Sequence, residues 1–359
     1  MINVTKTFLP PLEEYQQYVQ GIWERNQLTN NGPLVQELEK QLREYLGVKH
    51  CLFVSNGTIA IQLALKALNI TKEVITTPFS YCATSHAIIW ENCVPVFADI
   101  LESDYCVDPA KVEAAITENT EAILVTHVYG NPCDVDALQA IADKYQLKLI
   151  YDAAHAFGVK VDGKSLLSFG DISTCSFHST KVFHSIEGGA VITDNDEYAW
   201  LLDRYRSFGH KGDDYFTIGI NGKNSEFHAA MGLCNLPRVP QIIEARKAIV
   251  DLYEAGLDWS KISQPIVTKG VVERNYAYFP ILLPSEAILL KVRAALEAEN
   301  IFPRRYFYPS LSSLSFVTST SNCPISDDYA LRALALPLYY DLAHADVVRI
   351  CQIVNTSLA

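Results

Sequence analysis

Apolar residues recur along this chain at two spacings, which predict different elements. Leu34, Leu38, Leu42 and Leu46 recur every four residues before Gly47, which predicts an amphipathic helix with a glycine stop. Short runs of apolar, β-prone residues predict strands at 51–54, 73–76, 94–97, 122–126, 148–152, 174–177 and 189–193. Helical stretches lie between most of them, at 59–68, at 108–116 and from about 134, and another follows at 196–207. This alternation predicts an α/β fold with a mostly parallel sheet.

The remainder of the chain has a different pattern. A long helix starts near Pro240 and leads away from the predicted sheet. A strand, a capped helix and a return strand follow at 276–283, 285–300 and 301–303, which predicts a small α+β domain. We therefore predict a large domain over 1–240, which includes an N-terminal arm with one short helix, and a small domain over 241–359.

Composition narrows the class of protein. The 359 residues are 49% hydrophobic, which is enough for a large core and for two domains. The start of the chain lacks a basic-then-apolar signal, and no run reaches the roughly 20 apolar residues of a membrane span, so we expect a cytoplasmic protein. Nine cysteines without Cys-x-x-Cys or Cys/His pairing argue against disulfides and against a metal site. The net charge of -12 disfavours nucleic acid as a partner.

Candidate chemistry lies beside two of the predicted strands. Lys181 lies in a polar loop between the strands predicted at 174–177 and 189–193, and Asp152 ends an earlier strand, with His155 just after it. A lysine at such a loop can form a Schiff base with a carbonyl or with pyridoxal phosphate, although most isolated lysines are only solvated surface residues. Ligands in open α/β sheets bind beyond the carboxyl ends of the strands. Because pyridoxal phosphate needs a lysine and commonly an aspartate beside its ring nitrogen, Lys181 and Asp152 indicate a site for this cofactor.

A helix start follows the first predicted strand of the sheet. Gly57 and Thr58 open this helix, where free backbone N–H groups, a hydroxyl and the positive end of the helix dipole suit a phosphate. The same residue types are also ordinary helix caps. Because Lys181 and Asp152 already indicate a site for this cofactor, we predict that Gly57 and Thr58 bind its phosphate.

Three motifs carry a resemblance to a known family. They are Asp-Ala-Ala-His at 152–155, Ser-Phe-His-Ser-Thr-Lys at 176–181 and Glu-Gly-Gly at 187–189. Together they resemble the DegT/DnrJ/StrS family of sugar-nucleotide aminotransferases, and the match runs over almost the whole chain. The resemblance implies a fold-type-I pyridoxal-phosphate-dependent transferase in which Lys181 is catalytic and binds the cofactor. It also implies Asp152 beside the cofactor ring nitrogen and His155 near the phenolic oxygen.

The resemblance implies further contacts. Tyr81 stands where the family stacks an aromatic ring on the cofactor, although without the other motifs it would be interpreted as a core tyrosine, one of 19. Ser176 and Asn221 stand where relatives bind the cofactor phosphate, and Asn221 reaches the site of a neighbouring subunit, which requires a homodimer. By the pattern alone Asn221 is a turn residue. The implied substrate contacts are Lys223, where relatives often have arginine, and the basic-aromatic residues Arg304, Tyr306 and Tyr308, which could also be a surface cluster.

The implied activity is transfer of an amino group from L-glutamate to a keto sugar nucleotide, with pyridoxal phosphate cycling through pyridoxamine phosphate. The leading interpretation is conversion of dTDP-4-keto-6-deoxy-D-glucose into dTDP-4-amino-4,6-dideoxy-D-glucose for surface polysaccharide, such as lipopolysaccharide O-antigen, or another glycan. Amination at carbon 3 of a dTDP-3-keto-6-deoxyhexose is the alternative. A further alternative is a non-catalytic regulatory protein that binds a sugar nucleotide, although such a protein has no need of Lys181. The sequence leaves the nucleotide, the sugar carbon and the tautomer of His155 open.

Overall fold

A computed structural model describes residues 1–266, 270–317 and 321–358. Its α-helices are α1 (Leu12–Arg25), α2 (Pro33–Leu46), α3 (Gly57–Ala67), α4 (Ala83–Trp90), α5 (Pro109–Ala114), α6 (Val135–Tyr145), α7 (Asp196–Tyr205), α8 (Glu226–Asn235), α9 (Val239–Gly256), α10 (Glu286–Ala298), α11 (Pro324–Arg332) and α12 (His344–Ser357). Among the described residues, no helix has both the length and the apolar composition that crossing a bilayer would require.

The strands are short, as is usual for a globular protein. They are β1 (Ile2–Asn3), β2 (His50–Val54), β3 (Glu73–Thr76), β4 (Val94–Phe97), β5 (Thr120–Thr126), β6 (Lys148–Asp152), β7 (Lys160–Val161), β8 (Lys164–Ser165), β9 (Ile172–Ser176), β10 (Gly189–Thr193), β11 (His210–Lys211), β12 (Asp214–Tyr215), β13 (Val272–Glu273), β14 (Phe279–Leu282), β15 (Ile301–Phe302) and β16 (Ala333–Leu336).

Seven of these strands form the central sheet, in the order β2-β10-β9-β6-β5-β3-β4. Strand β10 runs antiparallel to both of its neighbours, and the other neighbouring pairs are parallel. The predicted α/β fold with a mostly parallel sheet is confirmed. Because β2, β6 and β9 all point the same way, their carboxyl ends meet at one edge of the sheet, which is where ligands bind in such folds.

Helix α2 shows why the leucine pattern was informative. Leu38 and Leu42 are fully buried and Leu46 is nearly so, which places one apolar stripe of the helix against the core. The helix ends at Gly47, whose φ of 66° is the left-handed conformation that glycine adopts without steric cost.

Buried apolar residues of the described chain form three large clusters, and two of these involve different parts of the chain. Helix α9 passes between them: Val239 and Ile242 lie in the cluster against the sheet, whereas Ile249 and Tyr253 lie in the cluster formed with α10, α12, β14 and β16. The second cluster agrees with an α+β region in the C-terminal part. The domain boundary at residue 240 stays a prediction.

The N-terminal arm joins the C-terminal cluster to the loop that contains Lys181. Strand β1 pairs in parallel with β15, with Ile2 opposite Ile301. The carbonyl of Val4 accepts a 3.0 Å hydrogen bond from the backbone N–H of Leu338. Further along, the carbonyl of Phe8 accepts a 2.7 Å hydrogen bond from Nε2 of His184. The arm therefore contacts both halves of the chain.

Candidate active site

A cavity of about 290 Å³ opens at the edge of the sheet where β2, β6 and β9 end. Most of the residues predicted from the sequence line it: Gly57, Thr58, Tyr81, Asp152, His155, Ser176, Lys181, Arg304 and Tyr306. These residues come from distant parts of the chain, and the parallel strands bring them together. The cavity is therefore the candidate active site.

Asp152 is held at the end of β6 by two donors. Its Oδ2 accepts a 2.7 Å hydrogen bond from Oγ1 of Thr84, and its Oδ1 accepts a 3.1 Å bond from the backbone N–H of Ala154. Ser80 connects Thr84 to Thr126 through hydroxyl contacts of 2.8 Å each. Asp152 is only 5% exposed, so this network fixes a buried carboxylate against the cavity.

Lys181 projects into the cavity from the loop after β9, and its Nζ donates a 3.2 Å hydrogen bond to Oη of Tyr278. Burial lowers the pKa of Lys181, but Tyr278, and after it the Asp152 carboxylate, raise the pKa by more. In the cofactor-free chain, the pKa of the Lys181 amine therefore lies above its usual value. Burial by itself does not activate the lysine.

His155 has a defined tautomer, which the sequence left open. Its Nδ1 accepts a 3.2 Å hydrogen bond from the backbone N–H of Tyr129, which places the proton of the neutral ring on Nε2. Burial, and after it the charge of Lys181, holds the pKa of His155 well below its usual range. The ring stacks on Phe307 with centroids 5.6 Å apart. The site thus contains a neutral imidazole that can donate from Nε2.

The start of α3 forms a cradle with the end of β9. Asn56 caps the helix, because its side chain accepts a 2.9 Å hydrogen bond from the N–H of Ile59. Within the described residues, the N–H groups of Gly57 and Thr58 have no protein acceptor. A Cβ on Gly57 would lie 3.0 Å from Cβ of Ser176, so glycine allows this close approach. Two free N–H groups and the Ser176 hydroxyl suit a phosphate.

The far wall of the cavity comes from residues 304–307. The guanidinium of Arg304 lies 5.0 Å from the ring centre of Tyr306. The hydroxyl of Tyr129 donates to the carbonyl of Tyr306, which ties this wall to the loop that holds His155. Tyr81 lies on the cavity wall and is 53% exposed. One cation and several aromatic rings therefore line the open part of the cavity.

Three of the predicted residues lie away from the cavity wall. Asn221 is exposed and forms an isolated β-bridge with Ser207. Lys223 places its Nζ 4.6 Å from the ring centre of Phe208, and burial lowers its pKa. Tyr308 is stacked under the guanidinium of Arg305, with 3.4 Å between the guanidinium carbon and the ring centre. The contacts expected of Asn221, Lys223 and Tyr308 stay predictions.

Sequence reasoning missed several residues of the site. Thr84 and Tyr278 contact the predicted residues from 68 and 97 positions away, and no local pattern connects such pairs. Phe307 and Glu187 also line the cavity. Asn56 could have been found, because a capping residue two positions before Thr58 is a standard helix-start signal.

The donor set of the cavity fits pyridoxal phosphate. An amine, a buried carboxylate, a neutral imidazole and a phosphate cradle match the aldehyde, the ring nitrogen, the phenolic oxygen and the phosphate of this cofactor. The sheet with one antiparallel strand, together with Lys181 and Asp152 at one cavity, defines a fold-type-I pyridoxal-phosphate-dependent transferase.

Comparison with known proteins narrows this class. The profile of the DegT/DnrJ/EryC1/StrS aminotransferase family matches residues 12–355, and the chain belongs to that family. The predicted family, fold class and enzyme class are therefore confirmed. The chain is a sugar-nucleotide aminotransferase of a pyridoxal-phosphate-dependent family, which sets aside the regulatory alternative.

Individual relatives are similar over nearly their full length. The chain is 42% identical over 349 residues to the dTDP-4-amino-4,6-dideoxy-D-glucose transaminase of Shigella dysenteriae, which covers 95% of each chain. It is also 42% identical over 361 residues to the Escherichia coli enzyme of the same name, covering 98% of this chain and 97% of the relative. The crystal structure of DesI in the presence of its TDP-sugar product superposes with a TM-score of 0.93 at 31% identity, covering 99% of this chain and 93% of that one.

Proposed function

We propose that this protein transfers an amino group from L-glutamate to carbon 4 of dTDP-4-keto-6-deoxy-D-glucose and so forms dTDP-4-amino-4,6-dideoxy-D-glucose. The observation that carries the proposal is the meeting of Lys181, Asp152 and the α3 cradle in one cavity. The names of the two relatives at 42% identity support the choice of sugar and of carbon 4.

The proposed cofactor is pyridoxal 5'-phosphate. Lys181 would hold its aldehyde, Asp152 its ring nitrogen, and the α3 cradle, defined by Gly57, Thr58 and Ser176, its phosphate. When bound, the cofactor supplies an aldehyde that exchanges amino groups and a ring that accepts electrons from the carbon losing its proton. Tyr81, on the cavity wall, would contribute an aromatic surface to the ring.

In this proposal, one residue of the chain stabilises a bound proton and a second residue transfers a proton. The buried Asp152 carboxylate stabilises a proton on the ring nitrogen, because an opposite charge close by favours the protonated form. Lys181 Nζ takes the proton from the α carbon of the amino donor and returns a proton at the reacting centre, as a general base and then a general acid. Its position on the cavity wall gives one amine access to both steps.

Two further residues bind and orient. His155 is neutral and has its proton on Nε2, so it can donate to the phenolic oxygen without adding charge. Arg304 places a cation on the open wall of the cavity, where it would bind the diphosphate of a sugar nucleotide.

The remaining parts of the proposal concern assembly and setting. Asn221 is exposed on this chain and lies away from its own cavity, which agrees with a homodimer in which Asn221 contacts the cofactor phosphate of the partner. We propose that the enzyme acts in the cytoplasm and that its product serves surface polysaccharide synthesis, such as that of O-antigen.

A spectroscopic and product experiment tests the proposal. Wild type, Lys181→Ala and the control Lys40→Ala, which alters an exposed lysine of α2, are mixed with pyridoxal phosphate, and their visible absorbance is recorded before and after glutamate. We expect a band in wild type and in the control that glutamate bleaches, and no such band in Lys181→Ala.

Each loaded protein is then given dTDP-4-keto-6-deoxy-D-glucose or, in a separate reaction, its 3-keto isomer, and the product is analysed by NMR. An amino group at carbon 4 supports the proposal. An amino group at carbon 3, formed from the 3-keto isomer of the sugar, would support the alternative. No visible band in the wild type would overturn the role of Lys181.

A further inference from the structure

The amine of Lys181 has a single hydrogen-bond partner among the described residues, the hydroxyl of Tyr278. The Nζ–Oη distance is 3.2 Å, and Nζ lies 5.8 Å from the centre of the tyrosine ring. Tyr278 also borders two small cavities that share lining residues with the main one. Its ring thus forms the wall against which the lysine side chain rests.

The ring of Tyr278 is itself held by neighbours. It packs edge-on against His155, with centroids 4.8 Å apart, and against Tyr306, with centroids 5.4 Å apart. These two residues also line the main cavity, so the tyrosine is part of one aromatic wall. A side chain packed on two sides loses little further freedom when it binds an amine.

The backbone before Tyr278 is anchored as well. Arg246, only 3% exposed, donates from Nη1 to the carbonyls of Tyr276 and Ala277 at 3.2 and 3.3 Å. Asn275 donates from Nδ2 to the carbonyl of His155 at 2.8 Å. The hydroxyl of Tyr278 is therefore presented from a fixed segment rather than from a free loop.

We propose that Tyr278 is the residue that holds Lys181 Nζ in its reacting position during proton transfer, an inference that rests on the proposed role of Lys181. A phenol accepts a hydrogen bond from an ammonium and donates one to a free amine, so it can hold the lysine in both protonation states. The proton moves between the donor's α carbon and Nζ, and Tyr278 keeps its own proton. The four-carbon side chain of lysine needs such a partner because it is otherwise flexible.

The groups facing Lys181 define what the loss of this hydroxyl should do. They are Asp152, Cys175 and His155 from the sheet edge and Tyr278 and Tyr306 from the aromatic wall. Burial lowers the pKa of Lys181, and Tyr278 is the largest influence that raises it. Without the hydroxyl, we expect the pKa of Lys181 to fall.

The test uses the full chain with Tyr278→Phe, in two measurements. The pH dependence of acylation of Lys181 by acetic anhydride in the cofactor-free protein, followed by mass spectrometry, reports the pKa of Lys181. Other lysines in the same sample are internal standards for folding. We expect a lower pKa, together with a kcat that falls about tenfold or more, because a lost hydrogen bond to a charged group has about this effect. The KM for the sugar nucleotide should change much less.

The matched control is Tyr253→Phe. Tyr253 is fully buried and donates a 2.8 Å hydrogen bond to the carbonyl of Pro337, away from the cavity. Tyr253→Phe should leave both the Lys181 titration and kcat as in the wild type. An unchanged Lys181 titration and kcat in Tyr278→Phe would overturn the inference. No transamination by the wild type would instead refute the proposed function, while the acylation measurement would still report whether Tyr278 contacts the lysine.

Discussion

Thr84 donates its hydroxyl proton to Oδ2 of Asp152 at 2.7 Å, so a helix-start threonine positions the carboxylate proposed for the cofactor ring. Replacing Thr84 with valine leaves one buried carboxylate oxygen without this donor. We expect weaker binding of pyridoxal phosphate and about a tenfold lower activity, since such a loss costs about 1.4 kcal/mol or more. Titration of the cofactor-free protein with pyridoxal phosphate measures the first effect.

Thr76→Val is the matched control for this change. Thr76 is also fully buried, but its Oγ1 has no hydrogen-bond partner among the residues that the structure describes, so valine removes nothing that is paired there. Cofactor affinity should stay as in wild type. Equal losses in the two variants would contradict the role of Thr84.

Gly57→Ala tests the α3 cradle. The new Cβ would lie 3.0 Å from Cβ of Ser176, so the helix start and the strand end must move apart. We expect at least about tenfold weaker binding of pyridoxal phosphate with the fold retained, because a small displacement spoils N–H groups aimed at a phosphate. Circular dichroism checks the fold, and the cofactor titration checks affinity.

Gly21→Ala supplies the comparison. Gly21 lies inside α1, and a Cβ there meets only the flexible end of Arg25. Alanine in a helix should stabilise the protein by about 0.5–1 kcal/mol and leave the cofactor affinity alone. If Gly57→Ala bound the cofactor as tightly as Gly21→Ala, the cradle would not be the phosphate site.

Glu226, the first residue of α8, is a fully buried carboxylate that stabilises the fold. It lies against the start of α2. It accepts hydrogen bonds from the N–H groups of Leu34 and Val35 at 3.0 and 2.9 Å, and its Oε2 lies 3.6 Å from Nη2 of Arg25. Glu226→Ala leaves these donors unpaired. We expect the free energy of unfolding to fall by about 3 kcal/mol, measured by urea unfolding. Glu13→Ala, at an exposed residue of α1, should lower the free energy of unfolding by only a few tenths of the loss expected for Glu226→Ala. Similar values for the two variants would refute this account.

His155 makes stability depend on pH below neutrality. The unfolded chain takes up a proton on this residue near pH 6.5, while burial holds the pKa of the folded residue well below that value. The unfolded state then binds more protons, so the free energy of unfolding is fully present above pH 6.5 and falls as the pH drops, by up to roughly 1.4 kcal/mol per pH unit. Buried His184 and half-buried His228, whose pKa values burial also lowers, act in the same direction.

His155→Asn should make this slope shallower, measured on the cofactor-free protein by urea unfolding between about pH 5 and 7.5. His344→Asn, at an exposed residue, should keep the slope of the wild type. An unchanged slope in His155→Asn would show that the folded residue titrates normally. Long-range nitrogen–proton NMR spectra, which separate Nδ1–H from Nε2–H, check the tautomer.

The sequence predicted the parts of the fold and site that depend on local pattern. The leucines of α2 and the strand that ends in Asp152 follow from spacing, and the lysine loop from its place between strands. The contacts of Thr84 with Asp152 and of Tyr278 with Lys181 could not be predicted, because each joins distant segments that meet only after the sheet forms. The sequence motifs therefore predicted the reactive groups of the site, whereas the residues that position these groups are seen only in the packed structure.

The pairing of Ile2 with Ile301 sets an order of events during synthesis. The first strand of the chain leaves the ribosome about 300 residues before its partner, a delay of roughly 15–60 s at ordinary rates of synthesis. Until then the arm that carries the Phe8 carbonyl to His184 cannot form this strand pairing at its start. Arg246, which anchors the segment before Tyr278, likewise gains a further acceptor at 3.2 Å only when the carbonyl of Leu338 has been synthesised. All seven strands of the central sheet are therefore synthesised well before the wall that holds Lys181 is complete.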